Sequence, residues 1–234
     1  FDKQQSMVNV KRWLLPLLAI VIGLPMTAMS QASGYSFSTS TGTYDTLVGG
    51  TSVSGVVADS YISSAIPIGF TFNFNGVNYT DVYASSNGFL SFNSSSSNGT
   101  ANDLDNGSSS SSLMPLVAPL WDDLEGSSSS NSDALYQVTG TAPNRVFTFE
   151  WKRWEWTYSA SDPVVSFQAK LYETSNLIEF VYQQEPTPPV SPGWGTISAS
   201  IGIADGLTYL SVQDVSNPTV SSTVESDTIT QRPA

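Results

Sequence analysis

Residues 70–84 read Phe-Thr-Phe-Asn-Phe-Asn-Gly-Val-Asn-Tyr-Thr-Asp-Val-Tyr-Ala. Phe70, Phe72 and Phe74 alternate with polar residues, which is the period of a half-buried strand. Asn75-Gly76 then separates this run from Val77–Ala84. A two-residue Asn-Gly link suits a hairpin whose two central residues both take positive φ. The stretch is therefore a β-hairpin with one aromatic face, and a chain built around it must bury that face against another layer.

The same grammar continues outward. Ser86-Asn87-Gly88 turns the chain into Phe89–Phe92, and Leu113–Leu120 is a nearly continuous apolar run. Pro115 and Pro119 interrupt its ladder and mark it as an edge or irregular segment. Ala134–Val138 reads as a short strand. Arg145–Tyr158 is longer and changes parity: Phe147, Phe149 and Trp151 are odd, Trp154, Trp156 and Tyr158 even. That predicts a β-bulge near Lys152-Arg153, with one of the two aromatic sets turned outward. Val165–Leu171 and Leu177–Tyr182 flank Thr174-Ser175-Asn176. Ile197–Ile203 and Leu207–Val212 flank Ala204-Asp205-Gly206, a further hairpin. No helical period of useful length follows Ser33. About ten closely spaced strands imply an all-β, antiparallel β-sandwich or jelly-roll-like domain.

Serine supplies the punctuation. The chain holds 40 Ser in 234 residues, many in the tracts Ser94–Ser97, Ser108–Ser112 and Ser127–Ser130. Such tracts cannot bury enough apolar surface to offset their ordering entropy, so they read as mobile surface loops. Pro186–Pro192 reads as a stiffer loop of polyproline character.

The N-terminus reads as an address. Lys11-Arg12 precedes the apolar run Trp13–Met26, and Ser30-Gln31-Ala32 supplies a small-x-small end, which together make a secretory signal peptide. The run is shorter than the roughly 20 residues of a membrane span, so no membrane insertion is expected after cleavage. The cut is placed after Ala32, with Ser30 as a second candidate. Met7 reads as the initiator, which divides the chain into residues 1–6 upstream of the protein, a signal peptide over 7–32, and one domain over 33–234. Removing the leader leaves 5 basic and 19 acidic groups, a net charge of −14.

Composition excludes several functions. With no His and no Cys there is no imidazole acid–base chemistry, thiol nucleophile, disulfide or zinc finger. The strong negative charge opposes nucleic acid as a partner. Trp121-Asp122-Asp123-Leu124 places Asp122 and Asp123 where they either ligate Ca²⁺ through oxygen or cap turns. Asp103-Leu104-Asp105-Asn106-Gly107 misses the calcium-loop spacing by one residue. Trp154, Trp156 and Tyr158 are the candidate ligand-binding aromatics, because flat rings on a solvent face stack on sugars. Glu150 and Glu155 lie five apart, on opposite faces unless the bulge realigns them, and no E-x-D-x-x-E strand occurs. No catalytic residue is assigned.

The order of blocks resembles that of nidogen-like domains. The blocks are Ser85-Ser86-Asn87-Gly88-Phe89-Leu90-Ser91-Phe92, then Leu116–Leu124 with Ala118-Pro119-Leu120-Trp121-Asp122, then Val146–Trp151, Phe167–Glu173 and Ile178–Tyr182. The pattern is similar still to a domain of large secreted Bacteroidetes surface proteins that are exported with a C-terminal sorting domain. In those relatives an Arg-Pro-Ala stretch precedes one last strand, so the domain is expected to stop just before closing. The resemblance implies adhesion or matrix contact with an extracellular protein or glycan at the cell surface. It supplies no catalytic residue and no required cofactor. The rival reading is a carbohydrate-binding module or a carboxylate-based glycoside hydrolase.

Overall fold

The computed structural model describes residues 35–36, 38–104, 111–157, 160, 162–185, 198–211, 219–221 and 229–232. The expected leader, Tyr158 and Pro186–Pro192 lie outside the described residues. The architecture is nearly all β, with two antiparallel sheets packed as a sandwich.

The strands are β1 (Ser38–Thr41), β2 (Thr51–Ser52), β3 (Ile66–Phe74), β4 (Val77–Ala84), β5 (Leu90–Ser91), β6 (Leu116–Trp121) and β7 (Asp133–Thr139). They continue with β8 (Val146–Trp154), β9 (Val165–Tyr172), β10 (Ile178–Gln184), β11 (Ser198–Ala204), β12 (Tyr209–Ser211), β13 (Thr219–Ser221) and β14 (Ile229–Arg232). Sheet I runs β1-β14-β10-β9-β8-β7-β2, and sheet II runs β12-β11-β6-β5-β4-β3 with β13 also on β11.

The opening hairpin forms as its residues dictate. Asn75 and Gly76 take φ of 49° and 83°, and Phe72–Tyr79 and Phe74–Val77 pair across it. Ile66, Ile68, Phe70, Phe72 and Phe74 all point into the core. From sheet I they meet Phe147, Phe149, Trp151, Phe167, Ala169, Leu171, Ile178 and Phe180, the alternating set of β8, β9 and β10. Trp151 stacks on Phe167 at 4.9 Å between centroids, and burying such rings is the main favourable term in folding.

Two expectations need correction. β6 is not an edge, since it lies between β5 and β11, but it is irregular, as the other half of that expectation has it: its register against β11 shifts. Pro119 is tolerated there because the β6–β11 register slips between Ser200 and Gly202, and β5 ends before reaching Pro119. The missing N–H therefore falls where the ladder is already broken. β6 is buried along its whole length, because sheet II has a second apolar cluster on its outer face. Phe89, Leu104, Leu113, Met114, Leu116, Ala118, Trp121 and Ala204 form it.

The third serine tract is not wholly surface either. Ser128–Ser130 make a 3-10 turn, and the Ser130 hydroxyl is buried and donates to Glu155.

The predicted bulge is present. Trp151 pairs with Phe167 but Trp154 pairs with Val165, so β8 carries one extra residue, and Arg153 takes φ of 59°. That residue cancels the parity change, so Trp154 returns to the same face as Trp151. The outward aromatic set therefore does not form at these positions: Trp154 and Trp156 both lie in the core.

The outer face of sheet I is covered by the chain between β1 and β2. The cross-strand row Leu135, Glu150, Gln168 and Val181 is buried although it faces away from the core. The segment crossing it reaches Gln168 through the Asp45 carbonyl, which accepts at 2.8 Å. It reaches Glu150 through Tyr44, Thr46 and Leu47.

Candidate functional site

One end of the sandwich gathers the side chains with chemistry, and it is built on the turn Ser85–Gly88. The Ser85 N–H donates to the Phe89 carbonyl at 2.9 Å, and the Gly88 N–H to the Ser85 carbonyl at 3.2 Å. Gly88 takes φ of 79°, and a Cβ there would stand 1.9 Å from the Leu120 carbonyl oxygen. Only glycine fits this approach. Two indoles from sheet I hold the turn: Trp151 Nε1 donates to the Ser85 carbonyl and Trp154 Nε1 to the Ser86 carbonyl, each at 2.8 Å. Polar handles on buried rings need such partners. Trp121 Nε1 likewise donates to the Gly99 carbonyl at 2.8 Å.

The turn then positions two neighbouring loops. The Ser86 hydroxyl donates to the Asp59 carbonyl at 2.8 Å and accepts from the Tyr61 N–H at 3.0 Å. The Asp122 N–H reaches the Asn87 carbonyl at 3.4 Å. Beyond it, Glu125 and Glu155 form an isolated antiparallel bridge through paired N–H···O=C bonds of 3.2 and 2.8 Å. Gly126 lets the Trp154 ring lie against the backbone, since a Cβ would meet the ring at 2.5 Å.

The result is a rim of carboxylates from three loops. Burial raises the Asp123 carboxyl above its ordinary range, and the Asp59 charge adds to that. Burial raises Glu125 as well, reinforced by Glu155 and Asp59. Glu155 is raised by burial and by Asp162, against a lowering hydrogen bond from Ser130. Like charges and desolvation both disfavour the ionised form. Among the described residues, the ion pair close by is Arg153–Glu185 at 3.1 Å, whose arginine also donates to the Ser130 carbonyl at 2.7 Å.

Asp122 and Asp123 stand at this rim, both half-buried. The Asp123 N–H donates to Asp122 Oδ1 at 2.9 Å, which is a turn-capping use of the carboxylate. Among the described residues no group of three or more Asp or Glu is arranged to hold a metal ion. Trp154 and Trp156 sit beneath the rim with no exposed ring face, which sugar stacking requires.

Glu150 and Glu155 lie in different surroundings. Glu150 is fully buried on the outer face of sheet I. Its oxygens accept from Tyr44 Oη at 2.8 Å, Gln168 Nε2 at 2.9 Å, the Leu47 N–H at 3.0 Å and Thr46 Oγ1 at 3.2 Å. These donors replace water for a charge that would otherwise be costly to bury.

Sequence spacing missed Asp59 and Asp162 because they come from separate loops, and it passed over Glu125, two residues after Asp123, because only its bridge to Glu155 brings it to the rim. Tyr61 was missed too. It is 41% exposed at this end, and its ring lies against Gly55, where a Cβ would meet it at 2.6 Å.

The two buried carboxylates Glu150 and Glu155 are thus held by donors of the fold itself. The chain matches the nidogen-related family (NIDO related) over residues 34–234, and it belongs to that family, whose members are non-enzymatic modules pointing to an extracellular setting. No curated protein and no solved structure gives a significant match. Among the described residues, no helix is long and apolar enough to cross a membrane.

Proposed function

We propose that this chain is a secreted, non-catalytic adhesion module of a bacterial cell-surface protein, contacting an extracellular protein or glycan. The observation that carries the reading is the nidogen-related match over residues 34–234. The geometry supports it in one further way. The carboxylates Glu150 and Glu155 are engaged by donors of the fold, as a non-catalytic role requires. The loop end around Asp122 and Asp123 is the surface offered to a partner. Calcium at these two carboxylates belongs to the same proposal, as a bridge to the ligand.

The test is binding of the recombinant chain to a glycan array and to a panel of extracellular matrix proteins, each with and without EDTA. Binding to a matrix protein supports adhesion, and its loss in EDTA supports Asp122 and Asp123 as ligands. Binding confined to glycans favours the carbohydrate-binding alternative. Release of sugar from a glycan would overturn the non-catalytic reading.

A further inference from the structure

Among the described residues, two buried side-chain oxygens accept no hydrogen bond, Asn87 Oδ1 and Gln168 Oε1. A buried acceptor without a donor is costly, and it marks a place where a water or an ion completes the structure. The two oxygens differ in what stands beside them. Gln168 lies on the outer face of sheet I next to Glu150, whose oxygens are already met by Tyr44, Thr46, Leu47 and Gln168 itself. Asn87 lies next to Asp122, at the carboxylate rim.

Asn87 is fully buried in the Ser85–Gly88 turn, and its other polar atoms are all fixed. Its N–H donates to Ser85 Oγ at 3.0 Å, its carbonyl accepts from the Asp122 N–H at 3.4 Å, and Nδ2 donates to the Gly99 carbonyl at 3.1 Å. The last bond also decides which way the amide faces, because exchanging its ends would set Oδ1 against the Gly99 oxygen. Oδ1 therefore faces away from Gly99, inside the junction between the turn, the loop 98–103 and the strand end Trp121-Asp122-Asp123.

The donors of that junction are spent on other oxygens. The Ser85 hydroxyl donates to Asn98 Oδ1, the Ser86 hydroxyl to the Asp59 carbonyl, the Trp121 indole to the Gly99 carbonyl and the Ser200 hydroxyl to the Asn102 carbonyl. The junction is left rich in oxygen: the Asn87 amide, the Gly99 and Asn102 carbonyls and the Asp122 carboxylate. Hard, mixed oxygens of this kind suit Ca²⁺, which takes side-chain amides, backbone carbonyls and carboxylates together and needs no trio of acidic side chains. The surrounding charge has the right sign. Asp59 acts on both Asp123 and Glu125, and Arg153 is paired with Glu185.

We propose that Asn87 Oδ1 is the inner ligand of a calcium site that Asp122 closes from the rim. The site rests on the calcium reading of the rim and carries it further. The ion sits inward of the Asp122–Asp123 pair, where it fastens the Ser85–Gly88 turn to the end of β6 whether or not the rim holds a partner.

Terbium luminescence and calcium-dependent thermal melts of the full chain test the site without any partner. Trp121 shares the Gly99 carbonyl with Asn87, so tryptophan excitation should sensitise terbium bound here. Added calcium should remove that emission, and the same concentration of magnesium should not. Calcium should also raise the melting temperature, because the ion binds the folded chain. Asp122→Asn keeps an oxygen to cap Asp123 but loses the charge, and should weaken calcium binding about tenfold or more with the calcium-free melt little changed. Asn87→Asp keeps the inner oxygen and adds a charge. It should lower the calcium-free melting temperature and enlarge the rise on adding calcium, a reversal that a purely structural asparagine would not show. If that variant does not fold, Asp122→Asn decides alone. Melts and terbium emission that ignore calcium, or calcium responses unaltered in the variants, would overturn the proposal. Calcium binding without any matrix or glycan binding would support it while removing the adhesion reading.

Discussion

The indole N–H of Trp151, in sheet I, donates to the backbone carbonyl of Ser85, in the turn that leads sheet II from β4 to β5, across 2.8 Å of buried interior. Trp154 repeats the contact one residue further along the same turn. The bulge at Lys152-Arg153 makes both contacts possible, because it returns Trp154 to the inner face. Trp151→Phe keeps most of the ring volume but leaves the Ser85 carbonyl without its donor. The expected loss is about 3 kcal/mol, combining an orphaned buried acceptor with a small cavity. Trp154→Phe should cost a similar amount. The double variant should fall short of the sum, since both indoles hold one turn. Urea denaturation followed by fluorescence measures all three.

Gly88 and Gly76 both sit at positive φ, 79° and 83°, but in opposite surroundings. A Cβ at Gly76 meets nothing within 4 Å, whereas one at Gly88 collides with the Leu120 carbonyl. Gly76→Ala should therefore cost only the conformational penalty, about 1–2 kcal/mol. Gly88→Ala must also displace β6, and should exceed about 4 kcal/mol or prevent folding. Thermal melts of the two variants side by side distinguish strain alone from strain plus collision.

The hairpins were legible from sequence because their information is local. Asn75-Gly76 and Asp205-Gly206 each join alternating runs, and the parity change between Trp151 and Trp154 marks the extra residue of the bulge. The facing of the second aromatic set was not legible from alternation alone, since one inserted residue reverses it. β1 and β14 went unseen for a different reason. Ser38–Thr41 has no apolar member, so its strand character comes only from pairing with residues 229–232, far along the chain. The rim was half visible: adjacent Asp122 and Asp123 stand out, with Glu125 two residues on in the same loop, but Asp59, Glu155 and Asp162 join them only through tertiary contacts.

The rim sets the direction of the pH dependence. Asp123, Glu125 and Glu155 have folded-state values raised by burial and by neighbouring charge. The folded state thus binds more protons than the unfolded one across their titration, and stability falls as pH rises through that range. Acidification from neutral toward about pH 5 should accordingly stabilise the module, aided by relief of its net negative charge. Glu173 works in the opposite sense. Its hydrogen bonds and ion pair with Arg145 hold it below the ordinary range, so its contribution is lost as pH falls through its folded value. The melting temperature should therefore peak between neutrality and the carboxylate range. Glu125→Gln should flatten the neutral side of that peak, and an unchanged slope in this variant would show that the rim does not cause it.

The tyrosines report the outer-face fastening directly. Burial raises Tyr44 well above an ordinary phenol, and the Glu150 charge and hydrogen bond add to the effect. Tyr35 is pushed up to about 12 by burial, and burial holds Tyr182 well above an ordinary phenol, with its hydroxyl donating to the Pro119 carbonyl. Since these phenols keep their protons longer in the folded state, stability is lost as pH rises above about 10. In an alkaline titration followed by ultraviolet absorbance, Glu150→Gln should advance the ionisation of Tyr44, because it removes a negative charge beside the phenol. Tyr35 makes no contact with Glu150 and should titrate unchanged. If both phenols shifted together, the substitution would have loosened the whole sheet. A shift confined to Tyr44 would place the effect at its own contact with Glu150.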